Sequence, residues 1–409
     1  MNRKRLNNKT MKRIFFILYV FALSTLPAWA VDMQAHMGTT EAQAAYSTYL
    51  NKQSAYYTGT YSPEALCALY GNDLFGALNA LMGSTSNIGN SSFNYNSLRP
   101  AYVNVDKDLN TSGNIIGYYD GRTMNGTWDG GKTYNREHTW PQSKGADKGI
   151  PMGHDMQSVR PTSVAVNSDR GNTAYGESSN YYDPDEVSIN NSLYVSSNLG
   201  SYRGDAARVI IYDYVVYGEA GGHKSSLYNG NAQLLNKLGS GGVFESIPVL
   251  LKWHMQDPIS LTEMVRNDGA QDYQGNRNPF IDYPELAIQM LKDANGVTTY
   301  PVTVTGVPMW PAYQLTLSSG FIAYLGTPDN RPASSDIVIT GATYTYDESN
   351  GRLTIKSVSG NMTITGPYSD IDQTKTPATA TKIIRNGQIL IYKNGKAYTT
   401  MGLPIDAER

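Results

Sequence analysis

Apolar residues recur at helical spacing through the middle of the chain and at strand spacing near its end. After Gly204-Asp205, the residues Ala207, Ile210, Ile211, Tyr214 and Val215 follow i, i+3, i+4, i+7, i+8, which predicts a strong helix. Val249 to His254 predicts another, stopped near Pro258, and Ser260-Leu261-Thr262-Glu263 has the form of a capping box opening the next. A further helix is expected from Pro284 to Asn295-Gly296, residues that tolerate the left-handed conformation of a helix stop. Ser62-Pro63-Glu64 reads as N-cap, first-turn proline and early acid, starting a helix through Leu66, Leu69 and Tyr70. Residues 31 to 60 predict a helix or a loosely packed arm. Between Ser84 and Asn135 the pattern is loops with short strands, at Ala101 to Val105, Ile115 to Tyr119 and Lys132 to Glu137.

After Gly296 the helical period disappears. Short β-type runs replace it: Val302 to Thr305, Ile337 to Thr340, Thr343 to Tyr346, Leu353 to Lys356 and Met362 to Thr365, separated by Gly- and Asn-containing turns. These predict a small β-sandwich, complete or partial. Asp370 to Thr381 reads as a linker. Ile383 to Leu403 then predicts two strands around Lys393-Asn394-Gly395-Lys396, since Asn-Gly suits a tight hairpin. The expected division is 1–30, 31–296, 297–370 and 371–409. The 31–297 stretch is long enough to bury a core of its own and is expected to fold and act alone.

Thirty residues at the start change the electrostatics. Arg3, Lys4, Arg5, Lys9, Lys12 and Arg13 precede an apolar run from Ile14 to Leu23, too short to span a bilayer, and Ala28-Trp29-Ala30 is a small-x-small cleavage pattern. This is the form of a signal peptide, so the mature chain is expected outside the cytoplasm: secreted, or held in the periplasm or at the outer surface. Without those six basic residues, 27 lysines and arginines face 35 acidic residues, and the formal charge moves from −2 to −8. Binding a polyanion through bulk charge is thereby excluded; it would need a local patch or a metal ion. The single cysteine, Cys67, excludes both an intramolecular disulfide and a zinc-cysteine cluster, and its apolar neighbours predict a buried thiol.

Two segments combine residues suited to phosphodiester chemistry. In Tyr134-Asn135-Arg136-Glu137-His138-Thr139-Trp140-Pro141, a carboxylate stands beside an imidazole: a hard ligand for a divalent cation next to a base that works near neutrality. Strand neighbours point to opposite faces, so the two converge only if the strand ends there, and Pro141 is compatible with that. The second segment runs from His154 to Asn172. Pro161 is expected to open a short helix and Gly171 to close it, with Asn167 and Arg170 three apart on one face. An amide oxygen and a guanidinium so placed can serve a cation and the phosphate it neutralises, although a solvated pair on a surface helix has the same spacing.

Strand with Glu-His, loop, then short helix with Asn is the order found in ββα-metal (His-Me finger) nucleases. The wording NREHTWPQS, VNSDRGN, RGDAARVIIYDY and LLKWHMQDP with QGNRNPFIDYPE, spread from about Tyr61 to Asn295, resembles the endonuclease I family of extracellular bacterial nucleases. The resemblance implies that His138 is the general base activating water, that Glu137 and Asn167 are the two protein ligands of a metal, and that Arg170 lies near the phosphate. It also implies magnesium as the ion, with manganese or calcium as alternatives, and cleavage of DNA and RNA through the phosphate backbone with little sequence preference, leaving 5′-phosphates. Where many members read Asp-Leu-His-His-Leu, this chain has Asp155-Met156-Gln157-Ser158-Val159, which puts the packing near the ion in doubt rather than the base or its ligands.

The other candidates read as architecture. His254 is expected to be satisfied in the core, and His36, His154 and His223 to be solvated. Trp128, Trp140 and Trp253 are expected to pack in the core rather than to stack on bases. Lys382 to Gly402 resembles the short terminal module of many exported bacterial proteins, which is associated with sorting or surface retention. The expected whole is an α+β chain: a ββα-metal nuclease core, a small β domain and a terminal hairpin, acting as a monomer. Two other readings suit the same residues: a phosphodiesterase on another polyanion, and a non-catalytic surface-binding protein on a nuclease scaffold.

Overall fold

The computed structural model describes residues 40–186, 201–230, 232, 242–293, 295–326 and 330–368, with the backbone of 381–385, 388–393, 396–399 and 404–405. The export segment, His36 and the linker at 371–380 lie outside the described residues. The helices are α1 (Thr40–Tyr56), α2 (Pro63–Cys67), α3 (Gly71–Thr85), α4 (Leu98–Val105), α5 (Val164–Arg170), α6 (Arg203–Tyr217), α7 (Ile247–Gln256), α8 (Leu261–Gln274), α9 (Pro279–Asp282) and α10 (Glu285–Leu291). Four short strands belong to this first part: β1 (Asn114–Ile116), β2 (Thr123–Asn125), β3 (Tyr134–His138) and β4 (Val159–Ser163). They pair in twos, β1 with β2 and β3 with β4, both antiparallel.

α6 is the hub. It packs against α3, α7 and α9, and fourteen of its fifteen residues are buried, where its pattern predicts only one apolar face. Its charged residues survive burial because each finds a partner. Arg208 bonds Glu263 at 2.6 and 2.9 Å, Asp205 faces Arg160 at 3.3 Å, and Asp213 accepts the Ser158 hydroxyl at 2.7 Å. Unpaired, such groups would cost several kcal/mol each, roughly. The capping box at Ser260 forms as expected, with Ser260 Oγ accepting from the Glu263 amide.

Three expectations are corrected. Ala101 to Val105 lies in a helix, not a strand: Leu98, Tyr102 and Val105 recur at helical spacing and all are buried. The helix capped by Ser62 stops at Cys67, and a new one starts at Gly71, whose φ of +52° breaks the path between them. β1 ends at Ile116, well before Tyr119.

Beyond residue 296 the expected runs fuse. The four C-terminal runs of this part become two long strands, β9 (Val338–Asp347) and β10 (Arg352–Thr365), which join β5 (Thr299–Thr305), β6 (Met309–Trp310), β7 (Leu315–Leu317) and β8 (Ile322–Leu325). The six form one connected sheet in the order β6-β8-β10-β5-β7, with β9 also on β10. Register shifts at Ile355/Ser357 and Val358/Thr363 absorb the polar stretch that separated two of the runs, as β-bulges do. At the end, β11 (Thr381–Arg385), β12 (Gln388–Lys393), β13 (Lys396–Thr399) and β14 (Pro404–Ile405) pair in sequence, four strands where two were expected. Lys393 pairs with Lys396 across the Asn-Gly position, as a hairpin requires.

The six-stranded sheet shares packing with the helices. Tyr313, Phe321 and Leu353 belong to the same buried cluster as Ile210, Leu251 and Leu286, and Trp310 packs on the cluster formed by Tyr46, Tyr49 and Ile281. Gln256 also donates to the Ser319 carbonyl at 2.9 Å.

α10 offers a readout of this core. Glu285 Oε1 receives the Cys67 thiol at 3.8 Å, and burial pushes the carboxyl up to about 7. A carboxyl whose folded value stands above its unfolded one keeps its proton longer when folded. Stability therefore falls as pH rises from 4.5 towards about 7, then levels. Glu285→Gln is expected to melt a few degrees above the parent at about pH 8 and close to it at about pH 4.5. Thermal melts at both values check this; an unchanged difference between them would refute it.

Candidate active site

β3 and β4 place Glu137 opposite Arg160 and His138 opposite Val159, and the chain passes from Ser163 directly into α5. Pro161 sits within β4 rather than at a helix start; α5 begins at Val164 and closes at Gly171, φ +56°. β3 stops at His138, so strict alternation lapses and the neighbours Glu137 and His138 are both buried. Arg170, from the end of α5, fixes this stop: Nη1 donates to the His138 carbonyl at 3.2 Å and Nη2 to that of Thr139 at 2.8 Å. Trp140, fully buried, donates its indole N–H to the Lys144 carbonyl and closes the turn that follows.

Glu137 is 1% exposed. Its Oε1 accepts the Tyr119 hydroxyl at 2.9 Å and lies 3.4 Å from Arg170 Nε, while Oε2 makes no hydrogen bond among the described residues. Burial raises its carboxyl above the ordinary range, with Arg170 and Tyr119 opposing. Tyr119 has φ +70°, a conformation that costs a tyrosine about 1 kcal/mol or more and that tends to persist where a side chain must be aimed. Its hydroxyl also meets that of Tyr175.

His138 is 5% exposed. Its Nε2 faces the Tyr95 hydroxyl at 3.3 Å, and its Nδ1 is buried with no hydrogen-bond partner. Burial, then the charges of Arg136 and Arg170, lower its pKa to about 3, with the Ala146 backbone and Asp147 opposing. The imidazole is therefore neutral at pH 7. Either ring nitrogen can carry the single proton; in the tautomer that places it on Nε2, towards Tyr95, Nδ1 keeps a lone pair.

Asn167 is half-buried on α5, and its side-chain amide makes no hydrogen bond among the described residues. Glu137 and Asn167 thus offer one carboxylate oxygen and one amide oxygen without protein partners, a hard donor set that suits magnesium, which keeps most of its water. Among the described residues no group of three or more His, Cys, Asp or Glu side chains could hold an ion.

Arg170 is held by backbone carbonyls. It is 1% exposed, and its guanidinium lies 4.7 Å over the Tyr175 ring. His154 is corrected: it is buried, with Nδ1 3.4 Å from the Lys148 carbonyl. His223 is exposed, and His254 is buried with Nε2 2.7 Å from the Pro284 carbonyl, both as expected. Trp253 is buried like Trp140, whereas Trp128 is only half-buried.

The divergent segment Asp155 to Val159 is a buried scaffold. Asp155 accepts from the Tyr212 and Tyr217 hydroxyls and from Gln274, Gln157 donates to Asn267, and Met156 fills a small core with Tyr102 and Tyr134. Sequence reasoning missed Tyr95 and Tyr119, the side chains that touch His138 and Glu137. Neither sits in a motif, and among 31 tyrosines no local signal separates them.

Comparison with known proteins bears on this geometry. The family model for Endonuclease I matches residues 78–285, half of the chain, a span that holds Glu137, His138, Asn167 and Arg170 and stops short of the six-stranded sheet. An extracellular ribonuclease of Bacillus amyloliquefaciens is 32% identical over 213 residues, covering 49% of this chain and 68% of that protein. An extracellular ribonuclease of Bacillus subtilis (strain 168) is 33% identical over 214 residues, covering 49% and 69%. No solved structure matches the chain. The described helices include none long and apolar enough to cross a membrane. The chain belongs to the endonuclease I family and is an α+β enzyme that hydrolyses phosphodiester bonds.

Proposed function

We propose that the mature protein is an exported, magnesium-dependent endonuclease that cuts RNA and DNA through their phosphate backbone, with little regard to sequence, and leaves 5′-phosphates. The observation that carries this reading is the buried, partnerless Nδ1 of His138 beside a Glu137 oxygen that makes no hydrogen bond among the described residues. β3, β4 and α5 are read as a ββα-metal core on the same ground. The two ribonuclease relatives support RNA as a substrate, and the export segment supports a secreted or surface location.

In this mechanism His138 Nδ1 takes the proton of the attacking water, while Tyr95 holds the ring through Nε2. A magnesium ion, when bound, neutralises charge on the phosphate and the leaving 3′-oxygen. Glu137 and Asn167 would hold it. Tyr119 fixes the Glu137 carboxylate, and Arg170 positions the end of β3 so that Glu137 and His138 face one site. Contacts limited to the backbone carry no base information, which accounts for weak sequence preference.

Incubating plasmid DNA and RNA with the mature protein, with magnesium and with EDTA, tests the proposal: both polymers are expected to be cut with magnesium and neither with EDTA. A second test concerns the ligands. Glu137→Ala and Asn167→Ala are each expected to lose about tenfold or more. The double variant should be scarcely worse than the more damaging single one, because both remove the same ion. Independent, multiplicative losses would mean that the two residues serve different sites.

A further inference from the structure

Arg136 and His138 lie two apart on β3, and Tyr95 touches both. The Arg136 guanidinium lies 3.5 Å over the Tyr95 ring and 5.4 Å from the centre of a Trp128 ring, and Arg99, in the first turn of α4, covers Trp128 at 5.0 Å. Rings and cations therefore alternate outward from the base: Tyr95, Arg136, Trp128, Arg99. All four side chains are half-buried, held by the protein yet open to water.

Neither arginine forms an ion pair among the described residues. Arg136 Nη1 donates to the Tyr95 carbonyl at 2.6 Å, and Arg99 Nη2 to the Asn96 side chain. Asp129 and Glu137 stand in the same neighbourhood, but neither pairs with Arg99 or Arg136, and two unpaired cations against one indole are an unusual local balance in a chain with more acids than bases. Their mutual repulsion is relieved by an anion between them. Flat faces that accept a base, beside cations that accept a phosphate, are what a single nucleic-acid strand requires. A duplex keeps its bases stacked inside and cannot offer them to such a surface.

We propose that the Tyr95-Arg136-Trp128-Arg99 ladder is a subsite for unpaired nucleotides flanking the bond to be cut, with a base against the indole or guanidinium plane and a phosphate between the arginines. It makes single-stranded nucleic acid the preferred substrate. This rests on the nuclease function proposed above.

Trp128 also meets Tyr134 edge-on at 5.2 Å, so its removal disturbs packing. Arg99→Gln and Trp128→Phe are the cleaner variants: the first spares the core and the second keeps a smaller ring. Binding of a fluorescein-labelled oligothymidine of about ten nucleotides, and of a duplex of equal length, is read by anisotropy on the full mature chain in EDTA. Cleavage of both with magnesium then gives kcat and KM. Arg99→Gln is expected to weaken single-strand binding about tenfold more than duplex binding, with the loss in KM rather than kcat. It should also reduce the salt slope by about 0.7, one phosphate contact on a single strand. Trp128→Phe should show the same bias at smaller size. Equal losses on both substrates, no loss, or a wild-type preference for duplex would overturn the subsite. A wild-type chain that cuts neither RNA nor DNA with magnesium would instead remove the nuclease reading beneath it.

Discussion

Replacing His138 by alanine is expected to cut the rate of phosphodiester cleavage about 10²- to 10⁴-fold, the usual span for a general base. The loss should appear in kcat, since the imidazole acts on the water rather than holding the polymer. Stability should be nearly unchanged. In the wild-type protein Nδ1 is buried without a hydrogen-bond partner, and an unsatisfied buried polar atom costs about 1–3 kcal/mol. Alanine removes that cost but gives up the Tyr95 contact at 3.3 Å, the packing of the ring on Tyr95 and the Ala146 backbone interaction, so the two effects offset. A histidine kept for structure would behave oppositely, with lost stability and preserved activity. Tyr95→Phe, which removes only the hydroxyl, is expected to cost about tenfold, because the ring loses its orienting partner but keeps its base. Cleavage of supercoiled DNA and of RNA, with thermal melts on the same samples, checks all three statements. Retention by His138→Ala of more than about half the wild-type rate would end its assignment as the base.

The sequence carried the helices because their signals are local. The Ser260-Glu263 box, the apolar spacing of α6 and the Gly171 stop depend on residues a few positions apart, and each appears in the structure. The end of β3 at His138 was legible too, since Pro141 follows three residues later, and both Glu137 and His138 are buried there. What escaped depends on distance along the chain. Tyr119 reaches Glu137 from 18 positions away, in a backbone conformation that no tyrosine advertises, and Tyr95 reaches His138 from 43. Arg170 is spaced three from Asn167 on a helix, and that spacing cannot reveal that its terminal nitrogens bond the carbonyls of His138 and Thr139. His154 failed for a similar reason: a loop histidine looks solvated until the loop is seen to fold inward. The periodicity change at Gly296 marks a change of secondary structure. It says nothing of packing, and Tyr313 and Phe321 share a buried cluster with Ile210 and Leu251. The expectation that residues 31 to 297 act alone therefore has to overcome an exposed apolar surface where the sheet was.

Arg277→Ala is expected to destabilise the protein by about 3–5 kcal/mol, the cost of breaking a buried ion pair from one side. The guanidinium is fully buried. Nε and Nη2 bond the two Asp282 oxygens at 2.9 and 2.8 Å, and Nη1 bonds Asp268 at 2.7 Å and Gln271 at 2.8 Å. Removing it strands two carboxylates at once, one of them at 0% side-chain exposure. The consequence should reach the active site through hydrogen bonds rather than through charge. Asp282 also accepts from Asn267, Asn267 accepts from Gln157, and Gln157 stands two residues before β4, the partner of β3. If that chain supports the site, activity measured well below the variant's melting temperature should fall less than His138→Ala makes it fall, and partial loosening should show as a raised KM. The paired variant Arg277→Met with Asp282→Leu removes both charges of the bidentate pair and should recover part of the stability, because the largest stranded charge is gone. Urea denaturation of the parent, the two single variants and the pair gives the coupling directly. A single-variant loss below about 1 kcal/mol, or strict additivity in the pair, would mean that Arg277 is solvated in solution and does not hold the loop from Gln274 to Phe280.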